Sequence, residues 1–217
     1  YNYVHSTDYR PEPGQSVHRQ DPKVGPNRFT VGYFARIDEK NGIADFLEIA
    51  RRFEGDPGMA FVVYGHTGTE KGRVQELLAA AGHNVHVYPM VSDVPANLGD
   101  LDVLLVPFRA PHFSRSVVEA AMLRVPSIIY DIVSVNETVK DDETGFVVGL
   151  GDSQGMGDRL ATLRDDPALQ SRLSEAAHDF AMESFSERNY ERIRAAILGA
   201  GSAQVDDRTN DSVPFRG

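Results

Sequence analysis

The chain lacks cysteine and tryptophan altogether across its 217 residues. The first absence removes disulfides, thiolate metal sites and cysteine nucleophiles together. Basic residues are in deficit, 22 against 32 acidic ones, for a formal charge of −10. No broad basic face for nucleic acid is therefore expected, although a small basic pocket for an anion remains open. No uncharged apolar run approaches the roughly 18–20 residues of a transmembrane segment. The chain also opens on Tyr1, with neither an initiator methionine nor a signal peptide.

What is present is an ordinary globular composition, 41% hydrophobic and 25% charged, at a length that supports a substantial core. Residues 1–28 carry Pro11, Pro13, Pro22 and Pro26 with no apolar periodicity. This is a linker composition that is expected to bury little by itself. A regular pattern follows. Strands are expected at FTVGYF (29–34), AFVVY (60–64), VHVY (85–88), VLLVPF (103–108), SIIY (127–130) and FVV (146–148). Helices are expected over 42–53, 72–81 and 116–124, then over 155–164, 167–183 and 187–198. Residues 199–217 form a small, polar tail expected to be disordered. Short continuous apolar strands alternating with amphipathic helices imply an α/β, doubly wound parallel sheet covered on both faces, with helices at the C-terminal end. In such sheets ligands bind beyond the carboxyl ends of the strands, at the switch point.

The loops at those strand ends carry the candidate chemistry. After the first strand, Arg36 and Lys40 lie where a strand hands over to a helix, placed to reach a phosphate. The competing reading is a solvated turn with a weak Arg36–Glu39 surface pair. The glycine loop after the second strand, 65–72, matches neither the dinucleotide fingerprint nor the P-loop, and its glycines suit a tight turn or a close approach. After the fourth strand, Ser114, Arg115 and Ser116 open a helix whose first amides form an anion site. Glu119 follows about one turn later. Ser116-Val117-Val118-Glu119 also fits a capping box, as does Ser134-Val135-Asn136-Glu137, so both glutamates have a structural alternative. His83 and His86 have no further ligand at metal-binding spacing, and neither a metal site nor Ser-His-Asp catalysis is expected.

Read in order, these stretches resemble the C-terminal, nucleotide-sugar-binding domain of retaining GT-B glycosyltransferases of the family-4 group. FTVGYFARIDEKNGIADFLEIARRF is similar to the family's opening strand, Arg…Lys-Gly loop and first helix. AFVVYGHTG, with Gly65, is similar to its second strand and glycine loop. VHVYPMVSDV is similar to its third strand and the turn that receives the base, and LDVLLVPF to the buried strand before the motif loop. PHFSRSVVEAAMLRVPSIIYD resembles the E-x7-E motif with its following strand, and NETVKDDETGFVV the segment that closes the sheet. DPALQSRLSEAAHDFAMESFSERNYERI is similar to the terminal helices, and Tyr1-Asn2-Tyr3-Val4 to the exit from a first domain, so the likeness covers about residues 1–198.

The resemblance implies a Rossmann-like lobe over 29–198, reached through a linker at 1–28, in an enzyme that transfers a sugar from a UDP- or GDP-sugar. Arg36 and Lys40 would bind the donor diphosphate, at a spacing a residue or two shorter than the family's. Glu119, the second acid of the catalytic motif, would accept hydrogen bonds from the ribose. Amides around Ser114, Arg115 and Ser116 would hold the phosphates, and Met90 and Val91, with Gly65 nearby, would line the base side. Two positions depart from the pattern. Pro111 stands at the first acid of E-x7-E, and Val133-Ser134 stands where Gly-Gly is usual, with His112 and Arg115 as candidates to compensate. That leaves a non-catalytic nucleotide-binding module as the alternative. The implied enzyme is cytoplasmic and needs no metal or other cofactor. Its acceptor, a glycan, lipid or small molecule, would bind through an N-terminal domain, and any membrane contact by the full-length protein would be peripheral. On this reading the chain is one half of a two-lobed enzyme, able to bind its donor and not to turn it over.

Overall fold

A computed structural model describes residues 14–66, 71–111 and 113–187, together with 189 and 191. The expectations for Tyr1-Asn2-Tyr3-Val4, for His112 and, past residue 191, for the last helix and the tail fall outside these residues. Six strands form one sheet: β1 (Phe29–Phe34), β2 (Met59–Tyr64), β3 (Val85–Tyr88), β4 (Val103–Val106), β5 (Ser127–Tyr130) and β6 (Gly145–Val148). Their order is β3-β2-β1-β4-β5-β6 and every pairing is parallel. The chain is thus α/β and doubly wound, and its order reverses between β1 and β4. All of β2, β4 and β5 is buried, as continuous apolar strands in a parallel sheet must be.

Among the described residues seven helices accompany the strands: α1 (Val17–Gln20), α2 (Ile43–Arg52), α3 (Lys71–Ala79), α4 (Val94–Gly99), α5 (Arg115–Met122), α6 (Ser153–Asp165) and α7 (Pro167–Ser184). One face of the sheet packs on α2. Phe46 meets Tyr33 and Phe61 edge-on, with ring centroids 5.4 and 5.8 Å apart. On the opposite face Phe34, Tyr64 and Tyr88 stack in a row, and His18 of α1 meets Tyr64 edge-on. Helix α5 is backed by α7 through Val118, Ala121 and Met122 against Ala177 and Ala181. Asp152 and Asp166 cap α6 and α7, each accepting the amide three residues on. Among the described residues no helix is long and apolar enough to cross a membrane.

Two helices were not expected from the pattern, α1 and α4. Both are shorter than two turns, too short to display an apolar stripe. The segment ahead of β1 also buries more than its prolines suggest. Ser16, His18 and Val24 are buried. The amides of Gly14 and Ser16 donate to Asp100, and that of Val17 to Asn97. Polar contacts, invisible to periodicity, dock it. A second correction concerns Glu137: residues 133–137 form turns and no helix starts at Ser134, so the capping box does not exist there. Ser134 instead has φ 74°, a left-handed conformation that glycine adopts without strain.

Candidate functional site

At the switch point the carboxyl ends of β1 and β4 diverge, and a cleft of about 730 Å³ opens between their loops. Three loops line it. The β1–α2 loop contributes Arg36, Asp38, Lys40 and Asn41; the β3–α4 turn contributes Met90 and Val94; the β4–α5 loop runs from Phe108 through Pro111 into Ser114, Arg115, Ser116 and Glu119. Among the described residues three cations and two carboxylates therefore line this space, a local excess of positive charge in a chain of net charge −10.

The β1–α2 loop is held from below. The buried Tyr33 hydroxyl donates to the Arg36 carbonyl at 2.8 Å, and the Asn41 side-chain amide donates to the same oxygen at 2.9 Å. Asp38 accepts the Asn41 backbone amide at 2.8 Å. The Arg36 backbone is thus fixed, while its side chain stays 61% exposed with Asp38 at 3.4 Å. The anticipated Arg36–Glu39 pair is replaced by Arg36–Asp38, and Glu39 pairs with Arg73 instead. An ion pair this exposed contributes little and leaves the guanidinium usable by a ligand. Gly42 caps α2 at φ 73°, and a side chain there would collide with the Pro107 carbonyl.

On the other wall, Ser114 and not Ser116 is the N-cap of α5. Ser116 lies inside the first turn, its hydroxyl 3.2 Å from that of Ser114. The capping box expected at Ser116–Glu119 is therefore not formed. The Glu119 side chain is 9% exposed, lies against the cleft and meets the Arg115 guanidinium at 2.8 Å. A buried carboxylate beside a helix N-terminus offers acceptors next to the amides that open the helix.

Of the residues singled out by sequence, Arg36, Lys40, Met90, Ser114, Arg115, Ser116 and Glu119 come together on the cleft. Gly65 and Val91 do not line it. Gly65 has its own structural reason: a Cβ would strike the Ala35 carbonyl, so the glycine lets the ends of β1 and β2 run close. Val91 packs at the edge of the core. Asp38 and Asn41 were passed over, although an Asp followed three residues later by Asn in a tight loop signals side-chain bonding to backbone. Pro111 lines the cleft where an acid was expected. A G-x-S-x-G string also occurs, at residues 151–155. It is no strained nucleophile elbow: Ser153 opens α6 without a positive φ, and its hydroxyl donates to Glu48 at 3.1 Å. Among the described residues no cluster of three His, Asp or Glu side chains could hold a metal ion.

The comparisons with known proteins agree with this geometry. Residues 15–180 match the family model of glycosyl transferases group 1. The capsular polysaccharide biosynthesis glycosyltransferase CapM of Staphylococcus aureus is 24% identical over 169 residues, covering 76% of this chain and 44% of CapM. Among solved structures, Anabaena Alr3699/HepE in complex with UDP-glucose superposes with a TM-score of 0.80 at 21% identity, over 92% of this chain and 56% of that one. The C-terminal domain of the glycosyl transferase group 1 family protein LpcC from Francisella tularensis superposes with a TM-score of 0.73 at 22% identity, over 85% of this chain and 99% of that domain. The chain spans about half or less of the length of the curated relatives it matches. With its doubly wound sheet, switch-point cleft and match over residues 15–180, the chain belongs to the glycosyl transferases group 1 family.

Proposed function

We propose that this chain is the donor-binding lobe of a retaining glycosyltransferase that moves a hexosyl group from UDP- or GDP-sugar to an acceptor. The observation that carries this reading is the convergence of Arg36, Lys40, the N-terminus of α5 and the buried Glu119 on one cleft. Each group suits one part of a nucleoside diphosphate. Arg36 and Lys40 offset the charge of the diphosphate, the first amides of α5 donate to its oxygens, and Glu119 accepts hydrogen bonds from the two ribose hydroxyls. The exposed Met90 and the apolar Val94 suit the flat face of a base. The UDP-glucose complex of the Anabaena neighbour supports the same class of donor.

In the reaction, the bond from the anomeric carbon to the diphosphate oxygen breaks. A bond to the acceptor oxygen forms with the same anomeric configuration, and the acceptor hydroxyl releases its proton. Negative charge grows on the leaving diphosphate, where Arg36, Lys40 and the α5 amides stabilise it. The acceptor, whether glycan, lipid or small molecule, is bound by chain outside this lobe. The isolated lobe accordingly binds donor and does not turn it over, and the complete enzyme works in the cytoplasm without a metal cofactor. Calorimetric titration with UDP, GDP and ADP tests the reading: saturable binding of at least one supports it, and folded protein that binds none refutes it.

Pro111 in the cleft wall and the left-handed Ser134 favour one alternative, a module that binds nucleotide without catalysing transfer. Transfer or hydrolysis of a nucleotide sugar by the full-length protein eliminates it.

A further inference from the structure

Arg109 lies in the β4–α5 loop and does not line the cleft, yet its guanidinium is held by a buried carboxylate. Its Nε and Nη2 donate to both oxygens of Asp45, at 2.9 and 2.7 Å. Asp45 stands in the first turn of α2 with its side chain only 6% exposed. The buried Tyr130 hydroxyl, at the end of β5, donates to the same carboxylate at 3.0 Å. One carboxylate thus accepts from a guanidinium fork and a phenol, which satisfies a charge that would be costly to bury alone. Beside this network the Arg109 amide donates to the Lys40 carbonyl at 2.8 Å. Gly42 abuts the Pro107 carbonyl so closely that no side chain fits between them.

These contacts join the loop carrying Arg36 and Lys40 to the loop that leads into the amides of α5. The pairing of β1 with β4 fixes the strands from which the two walls leave, but past the strand ends each wall belongs to a different strand–helix unit, and these contacts are what tie the loops together. A diphosphate held by both walls needs them within a fraction of an ångström of the productive separation. We propose that Asp45, Arg109 and Tyr130 form a positioning network that sets this separation, so that Asp45 and Arg109 control donor affinity without touching the donor. The inference rests on the reading of the cleft as a nucleotide-diphosphate site.

The test is calorimetric titration of UDP, GDP and ADP into this chain and its Asp45→Asn, Arg109→Lys and Tyr130→Phe variants. Thermal unfolding and amide hydrogen exchange are measured alongside. Asp45→Asn keeps the shape but removes the charge and turns one acceptor into a donor, and Arg109→Lys removes the fork. Both are expected to lose tenfold or more in affinity while folded, with faster exchange at the Gly42, Ile43 and Arg109 amides. Tyr130→Phe, which leaves the ion pair intact, is expected to lose less than threefold. Should Asp45→Asn unfold, Arg109→Lys carries the same prediction from a partly exposed position. Folded variants that bind as tightly as the wild type, or exchange that does not change, overturn the proposal. Wild-type protein that binds none of the three nucleotides refutes the reading of the cleft, and this inference falls with it.

Discussion

Glu119 and Arg36 carry opposite charges from opposite walls of the cleft, and under the proposed function they would divide the donor between them. Arg36→Ala is expected to weaken nucleotide binding by about 1.5–3 kcal/mol, the range for a hydrogen bond to a charged group, or roughly tenfold or more in affinity. Its exposed side chain makes only a weak pair with Asp38, so thermal stability is expected to change little. Glu119→Gln keeps the side-chain volume and swaps one acceptor for a donor. The account predicts a tenfold or larger loss of nucleotide affinity with a small change in unfolding midpoint. A purely structural glutamate would give the reverse. Arg36 was legible because it sits just past a buried strand, and Glu119 because it lies about one turn into the helix that follows another. What could not be read was their local pairing. Ser114 displaces Ser116 as the cap, and Arg115 takes Glu119, because the loop from Pro107 enters the helix two residues earlier than the capping-box spacing suggests. Asp38 and Asn41 were missed for a related reason: they bind backbone, and backbone contacts leave only a faint mark on a sequence.

The elements followed from apolar patterning wherever they were long or wholly buried. β1, β3 and β5 coincide with their apolar runs, and α2 with its stripe. The β1–α2 junction offers a direct test of why the stripe starts where it does. Gly42→Ala places a Cβ against the Pro107 carbonyl at a positive φ, and is expected to cost about 2 kcal/mol or more, read as a lowered urea midpoint. Helix α1 could not be foreseen, because a polar cluster anchors it. His18 is buried with Nδ1 2.9 Å from the Tyr64 hydroxyl, which in turn donates to Asn97 at 3.0 Å. Burial pulls the imidazole down from 6.5 to about 4, so the folded chain holds it neutral. The unfolded chain binds this proton below pH 6.5 and the folded chain does not until about pH 4. Stability from this group is therefore fully present above pH 6.5 and is lost as pH falls toward 4. The loss is about 2 kcal/mol between pH 7.5 and 5. Urea unfolding at the two pH values checks this, and His18→Asn is expected to flatten the difference.

At the scale of the whole molecule, an acidic chain collects, among the described residues, three cations around the cleft at the reversal in its strand order. Net charge alone would have argued against an anionic ligand. The topology qualifies that argument, because the loops at the switch point bring Arg36, Lys40 and Arg115 to one cleft whatever the charge of the whole chain. The fold was legible from the alternation of strands and helices, and the location of the cleft followed from the fold. The spacing between the two walls was not legible, since it depends on Arg109 and Asp45, which are 64 residues apart and belong to different units. Whether the cleft takes a nucleoside diphosphate is decided by an amide chemical-shift titration of this chain with UDP and GDP. Saturable shifts are expected to cluster at residues 35–41, at Met90 and at 113–119. Saturable shifts confined to another surface, or none at millimolar nucleotide, would contradict it.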